Sequence, residues 1–304
     1  MSVPLDSAVG RPSGSTRWRL TVGPTTLTLP AVIGFLLFFG APLIALAITS
    51  FLTAGLFESV RPFTVSSYVD VFTTSINATL ARNSLIVGFS VAAITTVLGL
   101  TVAYWLRYLA GRWRAVVFAI IVGTMFASFL VRVYAWRTLL GTNGVINEAL
   151  QLVGITDEPL SFLIFSRFAV IITQVNVFLP IAILMFYAGF APLPPSYLEA
   201  AQDLGANAYR RWTRVILPAL AAPIVLNLLF TLVLASSDYV TPQFVGGTSG
   251  SLLGSQIAAA FRVTGLYPLA AALAMLTLLT FALCYGIATV GLRMAGLDRL
   301  KWVG

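Results

Sequence analysis

The chain contains no histidine, one cysteine (Cys284) and one lysine (Lys301). The first two scarcities rule out a disulfide framework and any zinc site built from His and Cys of this chain alone. The third rules out a phosphate-cradling loop: G-x-x-x-x-G-K-[ST] needs a lysine after its second glycine, with a helix behind it. The glycine-rich stretch 245–250 has none. H-E-x-x-H and paired intramembrane carboxylates are also missing, so catalytic metal chemistry has no foothold and no cofactor is expected. Charge is scarce too. Only 9% of residues are Asp, Glu, Lys or Arg, against about 25% in soluble domains. With 59% hydrophobic residues, such a chain cannot cover a water-facing surface, and its apolar side chains must face lipid.

The formal charge of +8 does not point to nucleic acid, because the basic residues sit at the ends of apolar runs, where they set topology. A membrane helix needs about 20 mostly apolar residues. Six runs qualify, at 27–52, 84–108, 115–139, 167–190, 215–237 and 268–293. No period-2 alternation suggests a barrel, and lipid cannot satisfy open backbone groups. The expected fold class is therefore an all-α integral membrane protein with six transmembrane helices. Cys284 lies inside the last run and reads as packing. Ala45-Leu46-Ala47 mimics a signal cleavage site, but 26 residues precede the first run, and it is longer than a signal h-region. It is expected to stay as a helix.

With the N-terminus inside, each inner segment carries three basic residues: Arg11, Arg17 and Arg19; Arg107, Arg112 and Arg114; Arg210, Arg211 and Arg214; Arg293, Arg299 and Lys301. These 12 of 18 place both termini in the cytoplasm. The divisions that follow are a tail at 1–26, a membrane domain at 27–293 and a tail at 294–304. The outer loops are longer. One carries a turn at Arg61-Pro62. The next opens with Asn143-Gly144, after which Val145, Ala149, Leu152 and Val153 form the stripe of a short amphipathic helix. The last has a flexible hinge at 246–250 before a helix at 252–261. No internal repeat is evident, which weakens an inverted-repeat secondary transporter.

The inner loop at 194–212 differs from the others. Two prolines stop the preceding helix. Ser196 with Glu199 three residues on has the spacing of a capping box. Tyr197, Ala200, Ala201 and Leu204 make an apolar stripe, with Glu199, Gln202 and Asp203 on the other side. Gly205 suits a left-handed helix stop and Asn207 a new cap. Pro218, after Leu217, suits the first turn of the next membrane helix. By pattern alone this is either a hairpin lying on the bilayer or a pair of helices docking into a protein groove. The small alanine-rich stripe favours the groove.

Here the sequence resembles the permeases of ATP-driven (ABC) importers. Their signature reads E-A-A, three residues, G, nine residues, I, one residue, L-P. This chain has Glu199-Ala200-Ala201, Gly205, Val215 and Leu217-Pro218, departing only at Val215. The resemblance implies a type I importer architecture, with a common core at about 82–293 and coupling helices at about 195–213. In that case Ser196, Glu199, Ala200, Ala201, Asp203, Gly205, Leu217 and Pro218 serve contact with an ATPase. It also implies partners: two cytoplasmic ATP-binding subunits, a second permease expected to be a paralogue, and an extracytoplasmic solute-binding protein, all at a bacterial inner membrane. ATP hydrolysis would then lie on another chain. Three more stretches resemble the spermidine/putrescine class: Leu130-Val131-Arg132-Val133-Tyr134-Ala135-Trp136, Leu140-Gly141-Thr142-Asn143-Gly144, and Asp238-Tyr239-Val240-Thr241-Pro242-Gln243-Phe244-Val245-Gly246-Gly247. A polyamine is the cargo that this implies. An amino acid or opine moved by the same machinery, or a secondary transporter, are the alternatives.

Polar groups inside apolar runs are costly and face a partner or a wet path. Arg132, Trp136, Gln174, Asn176, Asn227, Asp238 and Tyr239 are the candidates for a solute pathway. Most have a plainer reading. Arg132 and Arg137 would snorkel. Gln174, Asn176 and Asn227 would hydrogen-bond between helices. Asp238 would pair with an arginine such as Arg132. Asp238 beside the Tyr239 ring also suits an ammonium group.

Overall fold

The structure, a computed structural model, describes residues 24–55 and 58–294. The tails with Arg11, Arg17, Arg19, Arg299 and Lys301 lie outside these residues. Residues up to Ala45 form one unit and the remainder a second.

Among the described residues four helices are long and apolar enough to cross a membrane, and two bent helix pairs bring the number to six if each pair is one span. The first, α1 (Thr28–Ser50), is strongly apolar along its length. A short antiparallel hairpin follows, β1 (Leu52–Gly55) with β2 (Glu58–Phe63), an exception to the all-α expectation. Arg61-Pro62 is not a turn. It lies within β2 at a register irregularity, where Leu52 pairs with Phe63 and Thr53 with Val60. There the ladder asks no N–H of proline. Helix α2 (Ser66–Thr73) leads to α3 (Ser75–Tyr108), which starts well before residue 84 and is the longest helix.

The third expected span is not one helix. It divides into α4 (Arg114–Met125) and α5 (Phe129–Leu140), which continues toward α6 (Val145–Leu152), with a 98° bend. Ser128 leaves helical geometry at ψ 142°. No proline or glycine marks the break, so hydropathy reads it as continuous. α7 (Arg167–Gly189) crosses unbroken. α8 (Pro195–Asp203) and α9 (Ala208–Arg211) form the inner-loop pair. The fifth span bends by 68° at Leu220, just before α10 (Ala221–Ser237). Pro218 and Pro223 flank that bend, and each removes a helical N–H. α11 (Leu253–Arg262) and α12 (Tyr267–Met294) complete the chain.

The second unit packs around α3 and α7, which are more than two-fifths buried where α12 is about one-fifth buried. Small residues permit this. A Cβ on Gly99 would stand 3.0 Å from the Ala182 side chain and 3.2 Å from Phe186, on α7. A Cβ on Gly88 would run into the Ser236 hydroxyl and lie 2.9 Å from Leu232, on α10. Membrane helices associate through such close contact, because lipid tails provide no hydrophobic drive between them. One buried cluster gathers Val87, Val91, Leu140, Val170, Phe178 and Val245. A second gathers Leu106, Phe186, Phe190, Leu198, Ile216 and Leu220.

Residues 246–250 are not an open hinge. Gly246 and Gly250 are buried, and the Gly250 N–H donates to Gly246 O at 2.9 Å. Gly247, at φ +57°, leaves no room for a Cβ beside Phe165. The glycines mark close packing here.

Candidate functional site

The loop at 194–212 is anchored before it is exposed. Tyr108 Oη donates to Leu193 O at 2.7 Å. Tyr108 and Phe190 meet edge to face at 5.6 Å, and Tyr104 packs at a tilt against Trp212 at 5.0 Å. Leu198, 7% exposed, carries α8 into the second core cluster.

The capping box does not form. Pro194, at ψ 155°, is the N-cap and makes no side-chain bond, and Pro195 occupies the first turn. Ser196 is thereby displaced to the second helical position. Proline's fixed φ and missing N–H make it the cheaper way to begin this helix.

The far end is closed by backbone. Gly205 sits at φ +79°. Its N–H donates to Gln202 O at 2.8 Å, and the Ala206 N–H to Ala201 O at 2.9 Å. The paired bonds satisfy carbonyls that the helix end would leave open. Asn207 Oδ1 then accepts from the Arg210 N–H at 2.9 Å, which caps α9. Arg211 Nη1 donates to Gln202 Oε1 at 3.1 Å and ties the two helices together.

The outcome is a fixed bent surface with apolar tips. Leu204 is 89% exposed, Tyr209 75% and Tyr197 44%. Glu199, Ala200, Gln202 and Asp203 are exposed beside them, and Ala201 is half-buried. Of the tail of the motif, Val215 packs against the second cluster, Ile216 is buried, Leu217 is exposed and Pro218 half-buried.

The intramembrane polar residues do not converge on one site. Asp238 does not pair with Arg132. Its Oδ2 accepts from Gln174 Nε2 at 3.0 Å. Its Oδ1 accepts from the N–H of Val240 at 2.8 Å and of Thr241 at 3.3 Å. It therefore holds the turn after α10, and Gln174, fully buried, also donates to Ala235 O at 3.1 Å. The α4–α5 bend sends Arg132 elsewhere. Arg132 Nη1 donates to Val177 O at 3.2 Å, in the turn where Pro180 removes a helical N–H. Arg132, Asn176 and Thr124 line a cavity of about 370 Å³. Asn176 is exposed, and among the described residues the buried Arg132 Nε has no hydrogen-bond partner.

Asn227 is fully buried and donates to Thr96 Oγ1 at 2.9 Å, a bond between α10 and α3. Trp136 packs on the first core cluster. Tyr239, 41% exposed, lines a separate cavity of about 520 Å³ with Gln243, Ser255 and Arg262.

Several contributors were not singled out from sequence. Asn83 Nδ2 donates to Ser249 O and Ser251 O, and Ser84 Oγ accepts from the Leu253 N–H at 2.8 Å. Asn147 joins Gly141 O at 3.0 Å to the Leu160 N–H at 2.9 Å. Polar residues flanking an apolar run were the available signal, but their partners lie far away in sequence.

The sequence profile of the family described as binding-protein-dependent transport system inner membrane component matches residues 115–292. The spermidine/putrescine transport system permease protein PotB of Haemophilus influenzae is 29% identical over 251 residues, 82% of this chain and 87% of that protein. The inner membrane ABC transporter permease protein YdcU of Escherichia coli is 27% identical, covering 92% and 93% respectively. In fold, the chain is similar to one from the crystal structure of a bacterial alginate ABC transporter in complex with its alginate pentasaccharide-bound periplasmic protein. The TM-score is 0.74 at 18% identity, over 89% of this chain and 94% of that one.

Proposed function

This chain belongs to the family of binding-protein-dependent transport system inner membrane components, and on that premise we propose that it lines the path of a small solute and is driven by ATP-binding subunits docked on its 195–213 helices. The observation that carries this is the exposed apolar surface of Leu204, Tyr209 and Tyr197 on a loop whose backbone is locked at both ends. An isolated hairpin gains nothing from so rigid a frame, whereas a transmitted push requires one. Leu198 connects that frame to the core beside Leu106 and Phe186, so displacement of α8 bears directly on α3 and α7. A second permease and an extracytoplasmic binding protein complete the proposed assembly, with about 82–293 as the common core and both termini in the cytoplasm.

Among cargoes, a polyamine is the first reading, supported by the relatives named for spermidine and putrescine. Tyr239 and Asp238 would meet the ammonium groups. A specific observation favours a second reading. Arg132, with its unpaired Nε, faces a cavity with Asn176 and suits the carboxylate of an amino acid or opine.

The docking test is Glu199→Lys with Ala200→Asp in the assembled complex in proteoliposomes. Uptake and binding-protein-stimulated ATP hydrolysis are expected to fall together, with the subunit still folded and inserted. Near-normal rates of both would reduce the loop to a surface hairpin.

A further inference from the structure

The turn between α3 and α4 carries a feature that transport does not use. α3 ends at Tyr108 and α4 begins at Arg114, so residues 109–113 turn back at one face of the membrane. Gly111, at φ +46°, makes the reversal. Arg112 and Arg114 flank a pocket of about 370 Å³, with Ala115, Phe118 and Tyr187 as its other walls.

The two guanidinium groups are held differently. Arg114 is fixed: its Nε donates to Tyr187 Oη at 2.7 Å, its Nη2 donates to the same oxygen, and its charge lies 5.3 Å from that ring's centre. Phe118 packs on the same ring at 5.4 Å. Arg112 is exposed and rests over the Trp113 ring at 5.7 Å, and among the described residues it has no hydrogen bond or ion pair. Among the described residues neither arginine meets a carboxylate. Trp113, 55% exposed, lies just past the end of an apolar span, the place along the chain where indoles anchor membrane proteins. From the pocket, an apolar face runs on along α4 through Val116 and Ile120, 49% and 61% exposed.

We propose that this turn is a binding site for an anionic glycerophospholipid. The phosphodiester lies between Arg112 and the free edge of Arg114, and an acyl chain follows the exposed face of α4. Charge complementarity selects the headgroup. The position at the end of two membrane helices selects a lipid over a dissolved anion, because the apolar continuation fits only a molecule with a tail. Each basic residue near the membrane surface strengthens the hold on anionic lipid about fivefold.

The test uses the assembled complex in mild detergent, read by native mass spectrometry with equimolar dioctanoyl phosphatidylglycerol and dioctanoyl phosphatidylcholine. The wild type is expected to retain phosphatidylglycerol preferentially. Arg112→Gln with Arg114→Gln should weaken that binding roughly 30-fold, and Arg112→Lys with Arg114→Lys should keep most of it. Arg112→Gln alone breaks no hydrogen bond, so it leaves folding intact and should cost about fivefold. Equal retention of both lipids, or an undiminished preference in the glutamine variants, would overturn the proposal. Full displacement by millimolar inorganic phosphate would show a free-anion site instead. Loss of ATP-binding subunits from the glutamine variants without loss of lipid would show a protein contact instead. Retention or loss of lipid leaves the transport reading untouched; only loss of the ATP-binding subunits would bear on where they dock.

Discussion

Replacing Gly205 separates backbone geometry from surface chemistry. Its φ of +79° is the condition for the two bonds that end α8, at 2.8 and 2.9 Å. A Cβ built there meets nothing within 4 Å. A side chain therefore costs backbone strain and no steric clash within this chain. For alanine the strain is about 1–2 kcal/mol. It is less for asparagine, which visits the left-handed region more readily, and greater for β-branched valine. At a factor of ten per 1.4 kcal/mol, alanine shifts the ratio of this loop geometry to its alternatives by roughly 5- to 30-fold. The site is exposed and outside the core clusters, so the melting temperature of the subunit should hardly change. Uptake and stimulated ATP hydrolysis in proteoliposomes should fall in the order Gly, Asn, Ala, Val. If valine matches glycine in both rates, or asparagine is as damaging as valine, the left-handed stop is not what holds the docking surface in place.

Gly99→Leu should disrupt the α3–α7 contact, where even a Cβ would stand 3.0 Å from Ala182. A loss of about 1–3 kcal/mol, read as a lower melting temperature in detergent, is expected, and unchanged stability would refute the close-packing argument. Asp238→Asn keeps an acceptor for the Val240 and Thr241 N–H groups but removes the charge. If the carboxylate meets a cationic cargo, polyamine uptake should fall about tenfold with assembly intact, and unchanged uptake would remove Asp238 from the path. A reporter fused after Gly304 should be active only in its cytoplasmic form, and activity outside the cytoplasm would overturn the assigned topology.

The membrane class and the number of apolar segments were legible in composition and hydropathy, because lipid imposes the same length and apolarity on any spanning helix. The inner loop was legible as well. Glycine at 205 and asparagine at 207 act on backbone within four residues of themselves, and local chemistry is visible in local sequence. The cap at 196 was misread for an equally local reason: two adjacent prolines outcompete a serine for the start of a helix. The tertiary structure alone decided the rest. The break at Ser128 has no local signature, yet it determines that Arg132 reaches Val177 and that Gln174 takes the place beside Asp238. The glycines at 246–250 read as slack until Phe165, some 80 residues earlier in the chain, is seen to press on Gly247. A buried polar group must find a partner wherever the fold supplies one. Which residue that is depends on how helices cross, and the order of residues along the chain does not state it.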